Sequence, residues 1–317
     1  MPHKKIETFI LNEDIDGFYI IKNGSIKTSV NGSSFLACQL SDNSGTVEAK
    51  FWNYTGPVGV SSADDGKPVF VKGRVGEFKG TLQLSLNSIR YAEAGDQYNV
   101  SDLVPVAPID IREAGAKIRE MVNSIKDVDY KSICEVILER QGKAFSIWPA
   151  AKSVHHSFVS GLMMHTYNML KTADYLAGQY ENVVDRDLLI AGTLLHDFAK
   201  TQELACSSLG LVTDYSIKGQ LLGHLVMGAD NISKVAEELG VPENKSVLLQ
   251  HMILSHHGEP EFGAAVVPMC AEAELLHLID LIDSRMEIYA ETFKNMDTGT
   301  FSDRIFALEK KIYKHKS

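Results

Sequence analysis

Between residues 14 and 93 apolar and polar side chains alternate in short runs divided by turn signals: GFYIIKNGSIKTSV, NGSSFLACQLSD, SGTVEAKFWN, KPVFVKGRVGEF and GTLQLSLNSIRY. Alternation at a period of two marks half-buried strands, and five of them at this spacing predict a small closed β-barrel of OB type. In SSFLACQL, Leu36, Cys38 and Leu40 point one way while Phe35, Ala37 and Gln39 point the other. Lys50 and Trp52 share a face of the third run, and Phe70, Lys72 and Arg74 share one of the fourth. Aromatics beside cations on one face suit a surface that stacks bases and follows a phosphate backbone. An ordinary half-buried sheet with lysines on its wet side has the same pattern, and the segment alone leaves both readings open.

The texture changes in AGDQYNVSDLVPVAPIDI, where polar residues and two prolines predict a linker. Beyond it the apolar period becomes helical. IREAGAKIREMVNSI, KSICEVILERQ, GLMMHTYNMLKTADYLAGQY, RDLLIAGTLLHDFAK, GQLLGHLVMGADNISKVAEELG, ENKSVLLQHMILSHHG, AEAELLHLIDLIDSRMEIYAETF and SDRIFALEKKIYKH all read as helices. The expected organisation is therefore a barrel over 1–95, a linker over 96–108 and an all-helical bundle over 109–317.

Composition narrows the class. No apolar run approaches the roughly 20 residues that span a bilayer. The opening MPHKKIETFILNEDIDG lacks the apolar stretch and cleavage site of a secretory signal, so a cytoplasmic protein without membrane partners is expected. Cys38, Cys134, Cys206 and Cys270 are scattered and form no CxxC pair, which argues against a disulfide framework or a cysteine-rich zinc site. The net charge of -10 argues against a general polyanion-binding surface. It is unevenly spread: residues 1–100 carry a net -1 and the remainder -9, so the acidity belongs to the helical part.

Of 11 histidines, nine fall between His155 and His277. A single histidine on an apolar helix face is usually a satisfied core residue. Here His165, the His196-Asp197 pair, His224, the doublet His256-His257 and Asp280 each interrupt an apolar helical run. Imidazole and carboxylate donors together suit divalent transition metals, and facing helices of a bundle can bring them onto ions in its core. A buried ionised Asp197 is costly unless it meets a partner or a cation. His251 lies off the face of the doublet and reads as structural, whereas His277 is placed to stand behind a ligand. Asp283 competes with Asp280 for the ligand role; Asp280 is favoured because it follows LLHLI.

The series His165, His196-Asp197, Asp280, with Lys200 completing an HDxxK pattern, resembles the HD-domain phosphohydrolases. His224 and His256-His257 match the additional ligands of members that hold two metals. Together with AKSVHHSFVSGLMMHT, FSDRIFALEKK and the preceding barrel, the chain is similar to the YhaM-type 3'-5' exoribonucleases over nearly its whole length. The resemblance implies two divalent ions, manganese favoured. His165, His196, Asp197 and Asp280 would hold one, and Asp197, His224, His256 and His257 the other, with Asp197 as the bridge. It also implies a metal-activated water that attacks the terminal phosphodiester of single-stranded RNA, or of single-stranded DNA, releasing nucleoside monophosphates. Lys200, four residues beyond His196 and so expected on the same helix face, has two open readings: a phosphate contact or leaving-group acid, or a lysine placed by the helix dipole. His155 and His156 have an open choice between substrate contact and structure. The rival functions are an HD hydrolase of small or cyclic nucleotides with a regulatory barrel, and a single-strand-binding protein with a merely structural bundle. Metal identity, RNA against DNA preference and homo-oligomerisation stay open at this stage.

Overall fold

The computed structural model describes residues 3–29, 31–151, 158–207 and 209–316. It divides into two units, Met1–Val106 with Cys206–Thr213, and Ala107–Ala205 with Asp214–Ser317.

In the first unit β1 (Asp14–Thr28), β2 (Ser34–Ser41), β3 (Thr46–Trp52), β4 (Pro68–Phe78) and β5 (Thr81–Tyr91) close a barrel in the order β1-β2-β3-β5-β4. Only the β3–β5 pair is parallel. The long β1 serves two partners: Asp14–Ile20 pairs with β4, and Ile20–Thr28 with β2. A register shift between Lys22 and Ser25 lies within the β2-paired part, and a Cβ at Gly24 would stand 2.3 Å from the Gly59 carbonyl oxygen, so only glycine fits there. Leu36, Cys38 and Leu40 face inward, as their alternation predicts, and pack with Tyr19, Ile21, Val69, Val71 and Leu84. Removing each such large apolar side chain from water contributes about 1.5–3 kcal/mol.

One buried charge ties down the N-terminal segment. Asp42 accepts hydrogen bonds from the Ile6 amide (2.9 Å), Ser44 Oγ (2.6 Å) and the Ser44 amide (2.8 Å), and its Oδ2 lies 2.8 Å from His3 Nε2. Burial pushes its carboxyl up, but these donors outweigh burial and hold it below the ordinary value.

The expected linker is not free chain, and the first unit runs on to Val106 rather than ending at residue 95. Asp96 holds Arg90 through two hydrogen bonds of 2.7 and 2.8 Å, Tyr98 packs on Phe18, and the short α1 (Val100–Leu103) precedes the true boundary. The segment stays largely at the surface, as its polar composition suggests, but the Arg90–Asp96 pair and the Tyr98 ring tie it to the barrel.

The second unit contains α2 (Ile111–Asn123), α3 (Val128–Gln141), α4 (Ala144–Ile147), α5 (Gly161–Gln179), α6 (Arg186–Leu195), α7 (Lys200–Glu203), α8 (Ile217–Leu239), α9 (Glu243–Ser255) and α10 (Ala271–Lys294). Helices α2, α3 and α6 start on Asp110, Asp127 and Asp185, each accepting from two amides of the first turn. Ile133, Leu162, Met169, Leu189, Ile190, Leu249 and Leu276 form the centre of one continuous core. Among the described residues no helix is long and apolar enough to cross a membrane.

The expectation of helix alone needs two corrections. A short ladder pairs β6 (Leu204–Cys206) with β7 (Val212–Tyr215), and another pairs β8 (Thr300–Phe301) with β9 (Tyr313–Lys314). The second replaces the helix expected over SDRIFALEKKIYKH. Its helical spacing does not correspond to one buried face, because Leu308 and Ile312 are buried while Phe306 is 94% exposed. The chain turns back through Glu309 at φ 56°, and Lys314 Nζ donates to the Phe293 and Met296 carbonyls at the end of α10.

Candidate active site

Two helices stop on a histidine for the same reason. His196 follows α6 and donates from Nδ1 to the Thr193 carbonyl at 2.8 Å; His256 follows α9 and donates to the Ile253 carbonyl at 2.8 Å. Each ring takes the carbonyl that the next backbone amide would use in a continuing helix, so the helix ends and Nε2 is aimed outward. Asp197 therefore lies in a turn. Lys200 opens α7 beyond that turn, which corrects the expectation of a shared helix face with His196. The turn instead brings Lys200 Nζ to 2.7 Å from Asp197 Oδ2.

Around Asp197 the bundle gathers two groups of donors. In the first, from α5, α6 and α10, His196 Nε2 is 3.3 Å and His165 Nε2 3.8 Å from Asp197 Oδ2, and Asp280 Oδ1 is 3.3 Å from His165 Nε2. In the second, from α8 and the end of α9, His224 Nε2 is 3.4 Å and His256 Nε2 3.7 Å from Asp197 Oδ1, with His257 beside them. The donor atoms of His165, His196 and Asp197 lie within 4.8 Å of one another, and so do those of His224, His256 and His257. Each of the carboxylate's two oxygens thus faces its own set. All seven residues singled out from the sequence as ligands meet here.

The chemistry of these groups fits divalent ions. Asp197 Oδ1, His224 Nε2, His256 Nε2 and His257 Nδ1 are buried and have no hydrogen-bond partner among the described residues. Such atoms carry a full desolvation cost unless something binds them. In the first group His165 Nδ1 donates to Asp283 Oδ2 at 2.7 Å and His196 Nδ1 to a carbonyl, yet the two Nε2 atoms face each other at 3.2 Å. With both Nδ1 atoms donating, two neutral rings would present lone pair to lone pair, so a proton or a cation must lie between them. Without a cation it is a proton: burial opposes charge on His165, but Asp280 and Asp283 outweigh it and push the ring up to about 10. Burial, then the neighbouring His257, drives His256 well below its ordinary value, and burial lowers His257, so these two rings offer neutral nitrogen donors. Asp197 stays ionised, because Lys200 and then His196 outweigh the burial that would protonate it.

The contest between Asp280 and Asp283 divides by ring atom. Asp280 stands on the Nε2 side of His165, with the other donors, and Asp283 on the Nδ1 side, behind the ring. His277 donates from Nδ1 to the His256 carbonyl at 3.0 Å and so braces the doublet from behind, while His251 Nε2 accepts from the Met269 amide. His155 and His156 lie outside the described residues. Sequence reasoning passed over Glu203, whose carboxylate oxygens lie 3.0 and 3.2 Å from His224 Nδ1. It stands past the end of the HDxxK pattern, so no motif singled it out.

On the barrel, the six residues chosen for stacking and charge separate. Phe35 and Trp52 are opposite each other on β2 and β3, with ring centroids 4.7 Å apart, and Lys50 Nζ stands 5.7 Å from the Phe35 centroid and 5.9 Å from that of Trp52. Phe78, at the β4–β5 turn and 54% exposed, joins them 4.7 Å from Lys50 Nζ and was not foreseen. Arg74 falls in the same cross-strand row as Lys50 through Ser85 and leans toward Asp14. Phe70 belongs elsewhere: it packs on Phe18 at 4.9 Å with Arg90 above it, and Lys72 is paired with Asp16 at 3.1 Å. Phe18, Phe70, Lys72 and Tyr98 line a cavity of about 1070 Å³ in the barrel unit. Residue alternation identifies a strand's face but not which neighbours it meets around a closed barrel.

Comparison by sequence assigns the chain to a family. The HD domain family model matches residues 162–285, which contain all seven donors. A 3'-5' exoribonuclease YhaM from Geobacillus sp. (strain WCH70) is 36% identical over 310 residues, covering 98% of this chain and 94% of that protein. Its namesake from Bacillus subtilis (strain 168) is 36% identical over 303 residues, covering 96% and 95%. That from Listeria monocytogenes serotype 4b (strain CLIP80459) is 35% identical over 315 residues, covering 98% and 97%. Among solved structures, the second OB-fold domain of replication protein A from Methanococcus maripaludis aligns with 30% of this chain and 98% of its own length, at 16% identity and a TM-score of 0.21. With identity above a third sustained across almost the full length of these relatives, the chain belongs to the YhaM family of 3'-5' exoribonucleases.

Proposed function

We propose that this protein is a metal-dependent 3'-5' exonuclease that hydrolyses single-stranded RNA to nucleoside monophosphates. The observation that carries the chemistry is the division of Asp197, one oxygen to each of two buried donor groups. The direction of attack and the RNA substrate come from the relatives' activity. Two divalent cations, held by His165, His196, Asp197 and Asp280 and by Asp197, His224, His256 and His257, would lower the pKa of a water and neutralise charge on the phosphoryl oxygens.

The protein's own groups do the rest. Nδ1 bonds to Asp283, the Thr193 carbonyl and the Ile253 carbonyl turn three Nε2 lone pairs into the site. Lys200, kept cationic because Asp197 outweighs its burial, sits 2.7 Å from the carboxylate and supplies positive charge for a phosphate entering beside it. Nothing nucleophilic is required of a serine or cysteine. On the barrel, Trp52 and Phe78 around Lys50, with Phe35 buried behind them, offer ring faces and one cation on the β2–β3 surface and the β4–β5 turn, the surfaces with which OB barrels bind oligonucleotides. A donor set with five imidazoles is softer than the oxygen cages magnesium prefers, which favours manganese.

A 5'-labelled 20-mer, incubated beside free mononucleotides and cyclic nucleotides with and without added manganese, tests the reading. Metal-dependent shortening from the 3' end with release of monophosphates is expected. Turnover of the small nucleotides alone would support the regulatory-barrel hydrolase instead.

A further inference from the structure

We propose that Glu203 is a positioning residue for the second cation group, holding His224 both by its backbone and by its ring. The inference rests on the two-ion reading above. Helix α8 is broken at Gly223, which adopts φ 69° and ψ 162°, a conformation open essentially to glycine alone. The helix restarts at His224, whose amide has no helical acceptor. Glu203 Oε1 takes that amide at 3.1 Å, and the same carboxylate takes the ring Nδ1–H at 3.0 and 3.2 Å. One side chain therefore caps the second segment of α8 and fixes the ring with Nε2, an atom without a partner, facing Asp197 Oδ1. Glu203 is itself held: the Ser216 amide donates to its carbonyl at 2.8 Å, and α8 passes so close that a Cβ on Gly219 would lie 2.3 Å from that oxygen.

Charge explains why a carboxylate stands here. The first group has two carboxylates, Asp197 and Asp280, with Asp283 behind His165. The second has three imidazoles and only the far oxygen of Asp197. Glu203 adds the negative charge the second group lacks, directly against the Nδ1 side of the His224 ring. Among the other donor rings His165 leans on the Asp283 carboxylate, whereas His196 and His256 rely on backbone carbonyls that substitution cannot remove.

The test uses metal-stripped full-length protein, with manganese binding followed by calorimetry and by metal content after dialysis. Wild type should take up two ions. Glu203→Ala should keep one at native affinity and bind the second about 10- to 100-fold more weakly. Glu203→Gln keeps an acceptor for the His224 amide, so it should stay folded by circular dichroism and melting temperature yet still weaken the second ion selectively. Two ions bound with native affinities in both variants would overturn the proposal. So would a Glu203→Ala chain that unfolds while Glu203→Gln binds both ions normally, for Glu203 would then be a helix cap only. Wild type that binds a single ion overturns the two-ion reading itself, and this proposal with it.

Discussion

The barrel face and the bundle site are built on opposite physical terms. Trp52 and Phe78, both exposed, and the half-buried Lys50 form a surface group on the wet side of a sheet whose interior is already full, with Phe35 buried against Trp52. Their ring contacts satisfy them as they stand. In the bundle, His196, Asp197 and His256 are at most 2% exposed, and several of their neighbours' donor atoms face one another without partners. An exposed face can be altered with little cost to folding and a graded loss of binding. A buried set of unpartnered donors has no comparable relaxed state, so its function is lost in a step. On the proposed function, affinity for the strand would come from the first unit and chemistry from the second.

The largest effect is expected at the residue both donor groups share. Asp197→Ala should lower kcat on a 20-mer by on the order of 10³-fold or more while leaving RNA affinity largely unchanged, measured by single-turnover digestion and filter binding. Near-native turnover at saturating metal would refute the assignment. Next comes metal removal. Chelated protein should be inactive, and manganese should restore turnover well above magnesium, because imidazole donors prefer the softer ion. Full recovery with magnesium alone would reverse this ranking.

The barrel effect is smaller and falls on a different kinetic constant. Base stacking contributes roughly 1–3 kcal/mol per base, so Trp52→Ala with Phe78→Ala should raise KM for a 20-mer by about 10-fold or more, with little change in kcat or in dinucleotide cleavage. Equal loss on long and short substrates would remove the barrel from substrate binding. Lys72→Ala is expected to do less than Lys50→Ala, since Lys72 is already neutralised by Asp16.

The smallest effect concerns the barrel's own stability. The Asp42 carboxyl is held below its unfolded value, so its contribution is complete above about pH 4 and is lost as pH falls through the folded value. Urea melts between pH 5 and pH 3 should show an acid limb that Asp42→Asn flattens, along with a loss at pH 7 of about 1–3 kcal/mol. An unchanged acid limb would mean that other carboxylates set it.

Why one region was more legible in the sequence than the other follows from the same contrast. His165, His196, Asp197, His224, His256, His257 and Asp280 each break an apolar helical run, so burial of a polar donor was visible in the spacing itself. The barrel's inward residues were equally visible, Leu36, Cys38 and Leu40 among them. The cross-strand neighbours of Phe70 and Phe78 were not, because register around a closed barrel depends on bulges such as the one after Lys22. Glu203 and the break at Gly223 were hidden because a carboxylate on one short helix that caps another leaves no mark on the period of the helix it caps. The end of α6 before Asp197 was hidden too, since it depends on His196 taking a backbone carbonyl from its own helix.

The claim that both oxygens of Asp197 serve separate ions can be tested without any substrate. Electron paramagnetic resonance of manganese-loaded full-length protein should give the spectrum of an exchange-coupled pair, as expected for two ions sharing one carboxylate. Asp197→Ala should abolish that coupled signal. A wild-type spectrum of isolated, uncoupled manganese at full loading would contradict the account.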